Sequence, residues 1–258
     1  MSEVIVKFIR CVLHAFSRVE RKTELGKFDL DNATWITSLA DSTLLAQGSA
    51  RQVWLHPNCP GQLLKTIHPH KIQKYAKKSA WRQVIGDIRH GPYRTFRLEY
   101  WYYSRTAYRC VKAGLPNPIA QIGGLISTDR GLAMVCEMIT DESGEVGKTL
   151  TALVEDRSLD PAQVRRLNEF IEVIYSLNVS IPDLSGLNIV FDGVRGRFFI
   201  VDGFGDKAKI PLRTWFRSLN HKKLDSKFAK LAVAGYLDWD VNLKRFSFAA
   251  GVGGPIVT

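Results

Sequence analysis

Cysteine is scarce in this sequence, and its four copies stand far apart. Cys11, Cys59, Cys110 and Cys136 form no C-x-x-C pair and have no histidine at metal-ligand spacing, which argues against a disulfide framework and a structural zinc site. No apolar stretch reaches the roughly 18 uncharged residues that a membrane-spanning helix needs. The start lacks the uninterrupted apolar core and cleavage site of a signal peptide. We therefore predict a cytoplasmic protein.

Acidic side chains are outnumbered, 25 against 36 Lys and Arg, which gives a net charge of +11. Such a charge favours polyanionic partners: nucleic acid, a phosphorylated ligand or an anionic membrane face. None of the recognised nucleic-acid-binding modules can be located, so we expect no nucleic-acid partner. The histidines show no metal-site or nucleophile spacing, and the motifs G-x-S-x-G and H-E-x-x-H are absent.

The chain of 258 residues, 45% of them hydrophobic, is long enough for one large domain or two small lobes. Residues 1–24 carry apolar side chains at helical spacing, with Lys and Arg around them, which predicts a basic amphipathic helix. Two interpretations of this helix stay open: packing on the domain, or adsorption to an anionic membrane surface. In the second case the protein would lie at the inner membrane face.

The first half of the chain is predicted as a mostly antiparallel sheet with one main helix. Strands are expected on both sides of the turn HPNCPG, and two more on both sides of the Asp129–Gly131 turn. Between these hairpins, YRTFRLEYWYYSRTAY is a predicted helix that places Phe96, Tyr100 and Tyr103 on one side, as in a core-facing stripe. The basic run from Lys71 to Arg97 is interpreted as a solvated face, with a surface for an anionic acceptor or lipid as the alternative.

The second half is predicted to be mostly helical. Asp160 as N-cap and Pro161 in the first turn begin a helix whose apolar stripe is Val164, Leu167, Ile171 and Ile174. Two apolar runs around DGVRG predict a hairpin, and a basic helix follows. The predicted divisions are residues 1–38 for the first helix and a connector, 39–140 for a first lobe, 141–235 for a second lobe and 236–258 for a C-terminal tail.

Three oxygen-bearing side chains lie on the unit formed by this hairpin and the loop before it. Asp183 and Asn188 are five positions apart on the loop, and Asp202 ends the hairpin. Each alone would be an ordinary turn or cap residue. Hard cations such as Mg²⁺ accept carboxylate, amide and phosphate oxygens, so the set predicts a metal–nucleotide site. A second aspartate near the metal can accept or orient a hydroxyl proton.

These residues resemble the motifs of protein-kinase-like enzymes, H-R-D-L-x-x-x-N and the metal-binding D-F-G. IPDLSGLN matches the D-L-x-x-x-N portion, with Ile181 and Pro182 in place of His-Arg, and DGFG resembles D-F-G with one extra residue. Within that group, QGSARQVWLHP, FRLEYWYY, DLSGLNIVFD and VDGFGD followed by IPLRTWFRS are similar to the YrbL-like family, also called PhoP regulatory network proteins. The resemblance covers about residues 42–229. It implies a bilobal protein-kinase-like α+β fold with an antiparallel-sheet N-lobe, one main helix and a reduced, mostly helical C-lobe.

The resemblance also implies ATP and Mg²⁺ as cofactors and assigns roles to residues. Lys65 would anchor the phosphates, Glu99 would orient Lys65, and Asp183 would orient the acceptor hydroxyl, while Asn188 and Asp202 would hold the metal. The other nucleotide contacts would come from the glycine loop, the strand after it and the hinge: Gly48, Ser49, Arg51, Val53, Glu137 and Ile139, with Cys136 behind the pocket. Because Gly48 is the one glycine kept in that loop, Arg51 is a candidate to reach the phosphates directly.

We therefore expect an ATP- and Mg²⁺-dependent phosphotransferase. No A-P-E segment follows Asp202, which argues against the platform on which protein kinases lay a peptide. The expected acceptor is a hydroxyl of a small molecule, a sugar or a lipid-linked glycan, such as a lipopolysaccharide core sugar. Two alternatives stay open: a Ser/Thr protein kinase, and a regulatory pseudokinase that binds nucleotide without turnover.

Overall fold

The computed structural model describes residues 36–87, 91–205, 216–233 and 236–249, all of them within a compact unit that begins at Ile36. The predicted amphipathic helix of residues 1–24 lies outside the described residues. None of the helices in the described ranges combines the length and apolarity that crossing a bilayer requires.

A six-stranded sheet forms the first lobe, in the order β1-β5-β6-β4-β3-β2. Its strands are β1 (Ile36–Thr37), β2 (Leu44–Gln47), β3 (Arg51–Leu55), β4 (Gln62–Ile67), β5 (Ile122–Thr128) and β6 (Gly131–Glu137). Only the two-residue β1 pairs in parallel, with β5; the other neighbours are antiparallel. Both predicted hairpins, β3–β4 and β5–β6, are therefore confirmed.

The structure describes three α-helices between β4 and β5: α1 (Pro69–Ala76), α2 (Ala80–Asp87) and the long α3 (Arg94–Ala113). Helix α3 is the predicted main helix. Its buried face, however, differs from the predicted stripe and consists of Phe96, Glu99, Tyr102, Thr106 and Cys110. Tyr100 is 44% exposed. Phe96 belongs to both sets, and the buried face also contains Glu99, whose carboxylate pairs with Arg51 of β3.

The second lobe contains α4 (Leu150–Glu155), α5 (Pro161–Ser176), the hairpin β7 (Ile189–Asp192) and β8 (Arg197–Ile200), and α6 (Arg217–Val233). Helix α5 begins as predicted: the Asp160 carboxylate accepts the Gln163 amide at 2.7 Å, and the Gln163 side chain accepts the Asp160 amide at 3.0 Å. The predicted apolar stripe of this helix is buried. The hairpin is also confirmed, with Asp192 opposite Arg197 at its turn.

The segment predicted as the beginning of the tail forms a hairpin instead, β9 (Leu237–Asp240) and β10 (Arg245–Phe248). Tyr236, Leu237 and Phe246 are each 5% exposed or less. Phe228 of α6 stacks on Trp239 with ring centroids 5.0 Å apart. The correction has a simple cause: the apolar residues alternate in this segment and pack on α5 and α6, whereas the glycine-rich stretch begins only after it.

The largest hydrophobic cluster of the described residues spans both lobes and runs from the sheet through α3 to α5, β7 and β8. Backbone bonds join them as well: the Ala120 amide donates to the Ile200 carbonyl at 3.0 Å, and the Ile200 amide donates to the Pro118 carbonyl at 2.8 Å. These bonds place the end of β8, and hence Asp202, beside the sheet.

Candidate active site

A cleft of about 770 Å³ opens between the sheet and the second lobe. Its volume lies within the range of ligand pockets, about 300–1,000 Å³. All the residues predicted for the site line it except Glu99: Gly48, Ser49, Arg51, Val53, Lys65, Glu137, Ile139, Asp183, Asn188 and Asp202. Glu99 is 1% exposed and lies behind the cleft wall. Residues from across most of the described chain therefore meet at one concave surface.

The loop Ile181–Asn188 and the end of the β7–β8 hairpin are tied together by hydrogen bonds. The Asn188 amide group donates through Nδ2 to the Asp183 carbonyl at 2.9 Å. The Asp183 amide donates to the Gly203 carbonyl at 3.1 Å, and the Gly203 amide donates to the Asp202 carboxylate at 2.7 Å. Because Nδ2 is used in this way, Asn188 Oδ1 is the atom suited to bind a cation.

Gly203, in the VDGFGD segment, is a site residue that was not predicted from the sequence. Its φ of +79° is a left-handed conformation that favours glycine. A Cβ built on it would lie 2.5 Å from the Asp183 carbonyl oxygen and 2.8 Å from Asn188 Nδ2. Glycine is therefore needed here for the three polar side chains to lie together. The extra glycine in DGFG, relative to D-F-G, was the signal.

Ile181 stands where kinase-like enzymes carry a histidine, and it is 2% exposed in the hydrophobic core. The loop around it is held by backbone contacts, since the Gly205 amide donates to the Ser180 carbonyl at 2.8 Å. Burial and main-chain bonds thus position the loop without the missing His-Arg pair.

Lys65 lies on β4, opposite Val53 of β3, and is 5% exposed. Its ammonium donates to the carbonyl of Val201, the residue before Asp202. Among the described residues, no carboxylate lies within 4.0 Å of Lys65 Nζ. The expectation that Glu99 pairs with Lys65 is therefore wrong for this structure.

Glu99 pairs with Arg51 instead. Arg51 Nη1 donates to Glu99 Oε2 at 2.7 Å, and Arg51 Nη2 donates to Glu99 Oε1. Nη1 also lies 3.4 Å from Asp202 Oδ1. Burial alone would lower the pKa of the Arg51 guanidinium, but the hydrogen bond and charge of Glu99, with the charge of Asp202, raise that pKa above its ordinary value. Arg51 therefore stays charged.

The predicted hinge begins with Glu137, the last residue of β6, and continues to Ile139. The Glu137 carboxylate accepts Arg195 at 2.8 Å and the Gln121 amide at 3.1 Å, so it ties the hinge to the β7–β8 turn. The Ile139 carbonyl accepts the Gly147 amide at 2.9 Å. Its amide is therefore better suited than its carbonyl to a nucleotide base. The Glu137–Arg195 pair was missed because the two residues are far apart in sequence.

Cys136 does not line the cleft itself. It lies behind it, in a cavity of about 20 Å³ shared with Lys65, Met134 and Phe204. Burial raises the pKa of its thiol. The thiol is therefore neutral and apolar in character at neutral pH, as a packing residue behind a pocket should be.

The donor set fits a hard cation that binds together with a ligand. Asp202 and Asn188 offer carboxylate and amide oxygens, and the Asp183 carboxylate lies on the same loop. Within the described ranges, no three His, Cys, Asp or Glu residues cluster in a way that would hold a metal alone. A Mg²⁺ ion with phosphate oxygens completing its shell suits two protein ligands, because Mg²⁺ commonly binds one or two protein groups plus substrate phosphates.

A protein-family match agrees with the sequence resemblance. The family described as "PhoP regulatory network protein YrbL" matches residues 37–234. No curated protein matches the chain. Among solved structures, a double mutant of the Mycobacterium tuberculosis PknI kinase domain is similar, with 16% sequence identity, coverage of 76% of this chain and 74% of that chain, and a TM-score of 0.43.

Proposed function

Since this chain belongs to the YrbL family of PhoP regulatory network proteins, we propose that it is an ATP- and Mg²⁺-dependent phosphotransferase of protein-kinase-like fold. One observation carries the proposal: Lys65, Asp183, Asn188 and Asp202 line the same cleft, with a cation on the sheet side and acidic oxygens on the other. Separate structural roles for these four residues would not require a shared cavity.

The chemistry follows from charge and position. When bound, Mg²⁺ neutralises the phosphate charge that develops in phosphoryl transfer. Asn188 and Asp202 would hold it, and Lys65 would contact the phosphates. Asp183 would orient the acceptor hydroxyl and accept its proton, in a loop that the Asn188 and Gly203 bonds keep in place. Catalysis of this kind depends on positioning and electrostatic stabilisation rather than on a covalent intermediate.

We propose a hydroxyl of a small molecule, sugar or lipid-linked glycan as the acceptor, with a lipopolysaccharide core sugar as one example. Among the described residues after Asp202, α6 and the β9–β10 hairpin are the regular elements, and both pack into the lobe core. No A-P-E segment follows Asp202 in the sequence, which argues against a peptide acceptor laid along a platform.

A pseudokinase is the second candidate, and one contact favours it. Arg51 lies 3.4 Å from the carboxylate that would bind the metal. A guanidinium in that place can substitute for the cation in a protein that does not turn nucleotide over.

The test is nucleotide binding followed by turnover. Thermal shift with ATP and Mg²⁺ should raise the melting temperature, and ATP turnover should fall at least about 100-fold in Asp202→Ala. Asp238→Ala, on the exposed side of β9, is the matched control and should keep activity. Turnover that survives Asp202→Ala would refute the site, whereas binding without turnover in the wild type would leave the pseudokinase.

The acceptor class needs a separate experiment. Wild-type protein and Asp202→Ala are incubated with γ-phosphate-labelled ATP and a cell lysate, which is then separated into protein, lipid and glycan fractions. Label that depends on Asp202 should enter the glycan or lipid fraction. Label in the protein fraction alone would favour the Ser/Thr protein kinase.

A further inference from the structure

Two cations, Arg51 and Lys65, line the cleft beside Asp202. They differ in what holds them. Lys65 donates to a neutral backbone carbonyl, whereas Arg51 makes a two-pronged ion pair with Glu99 and lies within 3.4 Å of Asp202. The one buried carboxylate of α3 is therefore committed to Arg51.

The shapes of the two side chains explain this partition. A guanidinium presents parallel N–H groups that match both oxygens of a carboxylate, and it is less strongly hydrated than an ammonium. The Arg51 and Glu99 side chains are 9% and 1% exposed. At such burial, a bidentate partner satisfies more of the carboxylate than a lysine could.

Arg51 also connects three separate parts of the fold. It is the first residue of β3, directly after the Gly48 turn, and it reaches Glu99 on α3 and Asp202 at the end of the β7–β8 hairpin. Its position is limited from a third side by Phe96, whose ring centroid is 5.7 Å from the guanidinium carbon.

We propose that Arg51, rather than Lys65, is the residue that Glu99 positions, and that Glu99 thereby limits how strongly the guanidinium competes with a cation for Asp202. This inference rests on the proposed function, because it concerns the same metal-binding carboxylate. While Glu99 is charged, both terminal nitrogens of the guanidinium donate to it, and Nη1 makes only a longer contact of 3.4 Å with Asp202. Lys65 Nζ has no carboxylate of the described residues within 4.0 Å, so we assign this ammonium to the ligand's phosphates.

The inference makes a specific prediction about Glu99→Gln. Loss of the glutamate charge leaves Arg51 with Asp202 as its remaining acidic neighbour among the contacts described. The guanidinium then competes directly for the carboxylate. Because solvent and salt screen part of the added attraction between Arg51 and Asp202, Mn²⁺ affinity should fall about tenfold.

The experiment measures Mn²⁺ binding to the full chain without nucleotide, by electron paramagnetic resonance, so no activity is needed. Four variants are compared with the wild type: Glu99→Gln, Lys65→Gln, and the double variants Glu99→Gln/Lys65→Gln and Glu99→Gln/Arg51→Gln. The double variants avoid a buried unpaired glutamate, and thermal unfolding confirms that each variant is folded. Asp202→Asn defines the signal that belongs to the site.

Three results support the inference. First, Glu99→Gln should weaken Mn²⁺ binding about tenfold. Second, the same tenfold loss should appear when Glu99→Gln is added to Lys65→Gln. Third, Glu99→Gln/Arg51→Gln should bind Mn²⁺ at least as tightly as the wild type does. A loss that disappears in the Lys65→Gln background, a loss that persists without Arg51, or no loss at all would each overturn it.

Failure of the inference and failure of the proposed function are distinguishable. Wild-type Mn²⁺ binding that is insensitive to Asp202→Asn, or absent, would remove the metal site and the inference together. Mn²⁺ binding that depends on Asp202 but has the same affinity in Glu99→Gln/Arg51→Gln and Glu99→Gln/Lys65→Gln would overturn the inference. The proposed function would then still stand.

Discussion

The Asn188 side chain donates to the Asp183 backbone carbonyl at 2.9 Å, and both residues pack against Gly203. The proposed metal ligands and the proposed proton acceptor are thus parts of one rigid unit. Several consequences of this packing can be measured.

Gly203→Ala should disable the site. The φ of +79° disfavours any L side chain, and the new Cβ would overlap the Asp183 carbonyl. We expect a loss of about 1–3 kcal/mol in unfolding free energy, and a fall in ATP turnover of about 100-fold from displaced site groups.

Gly196→Ala is the matched control, because its φ is +60° and no atom lies within 4 Å of the added Cβ. It should cost about 1–2 kcal/mol of stability from backbone strain alone, with turnover kept. Equal loss of turnover in both variants would show that Gly203 acts through general stability.

Asp160→Ala should destabilise the second lobe without touching the cleft. It removes the capping box of α5, which is worth about 1 kcal/mol in urea-induced unfolding. Asp156→Ala removes only an ion pair with Lys148 in which both side chains are more than half exposed, so its effect should stay below about 1 kcal/mol. A larger cost for Asp156 would contradict this account of the helix.

Tyr175 should make stability fall at alkaline pH. Its hydroxyl donates to Asp225 at 2.5 Å, and burial, followed by the hydrogen bond and charge of Asp225, raises its pKa above the ordinary value of 10.0. The folded state therefore holds this proton more tightly than the unfolded state. The contribution of this proton to the free energy of unfolding is complete below pH 10 and is lost as pH rises above that value.

Urea unfolding of Tyr175→Phe at pH 8 and at pH 10.5 checks this. The variant should be about 1 kcal/mol less stable at pH 8, and its deficit should narrow at the higher pH. Tyr108→Phe, at a side chain 68% exposed, should match the wild type at both. A deficit that does not change with pH would argue against titration of Tyr175.

Thiol reactivity should distinguish Cys59 from the buried cysteines. Burial raises the pKa of the Cys110 and Cys136 thiols, and the thiolate is the reactive form. In a Cys11→Ser background at pH 8, Cys59 should be alkylated first, with Cys110 and Cys136 reacting only when urea is added. Modification of Cys136 in the native protein at the rate of Cys59 would contradict its burial behind the cleft.

Local signals predicted the parts of the fold that depend on near neighbours. The start of α5 follows from Asp160, Pro161 and Gln163, and the β7–β8 hairpin follows from the Asp-Gly turn between two apolar runs. Because capping bonds and tight turns join residues only a few positions apart, the sequence pattern is sufficient for them. The β9–β10 hairpin was missed because it is stabilised by packing on α5 and α6.

The motif order in the sequence determined which residues belong to the site: all but one of those predicted line the cleft. The partner of Glu99 was decided by the tertiary structure. On sequence grounds, either Arg51 or Lys65 could pair with Glu99. The outcome depends on the relative positions of β3, β4 and α3, and on which cation can give a buried carboxylate two hydrogen bonds. Spacing along the chain carries no information about that competition, because it is settled by geometry between residues 48 positions apart.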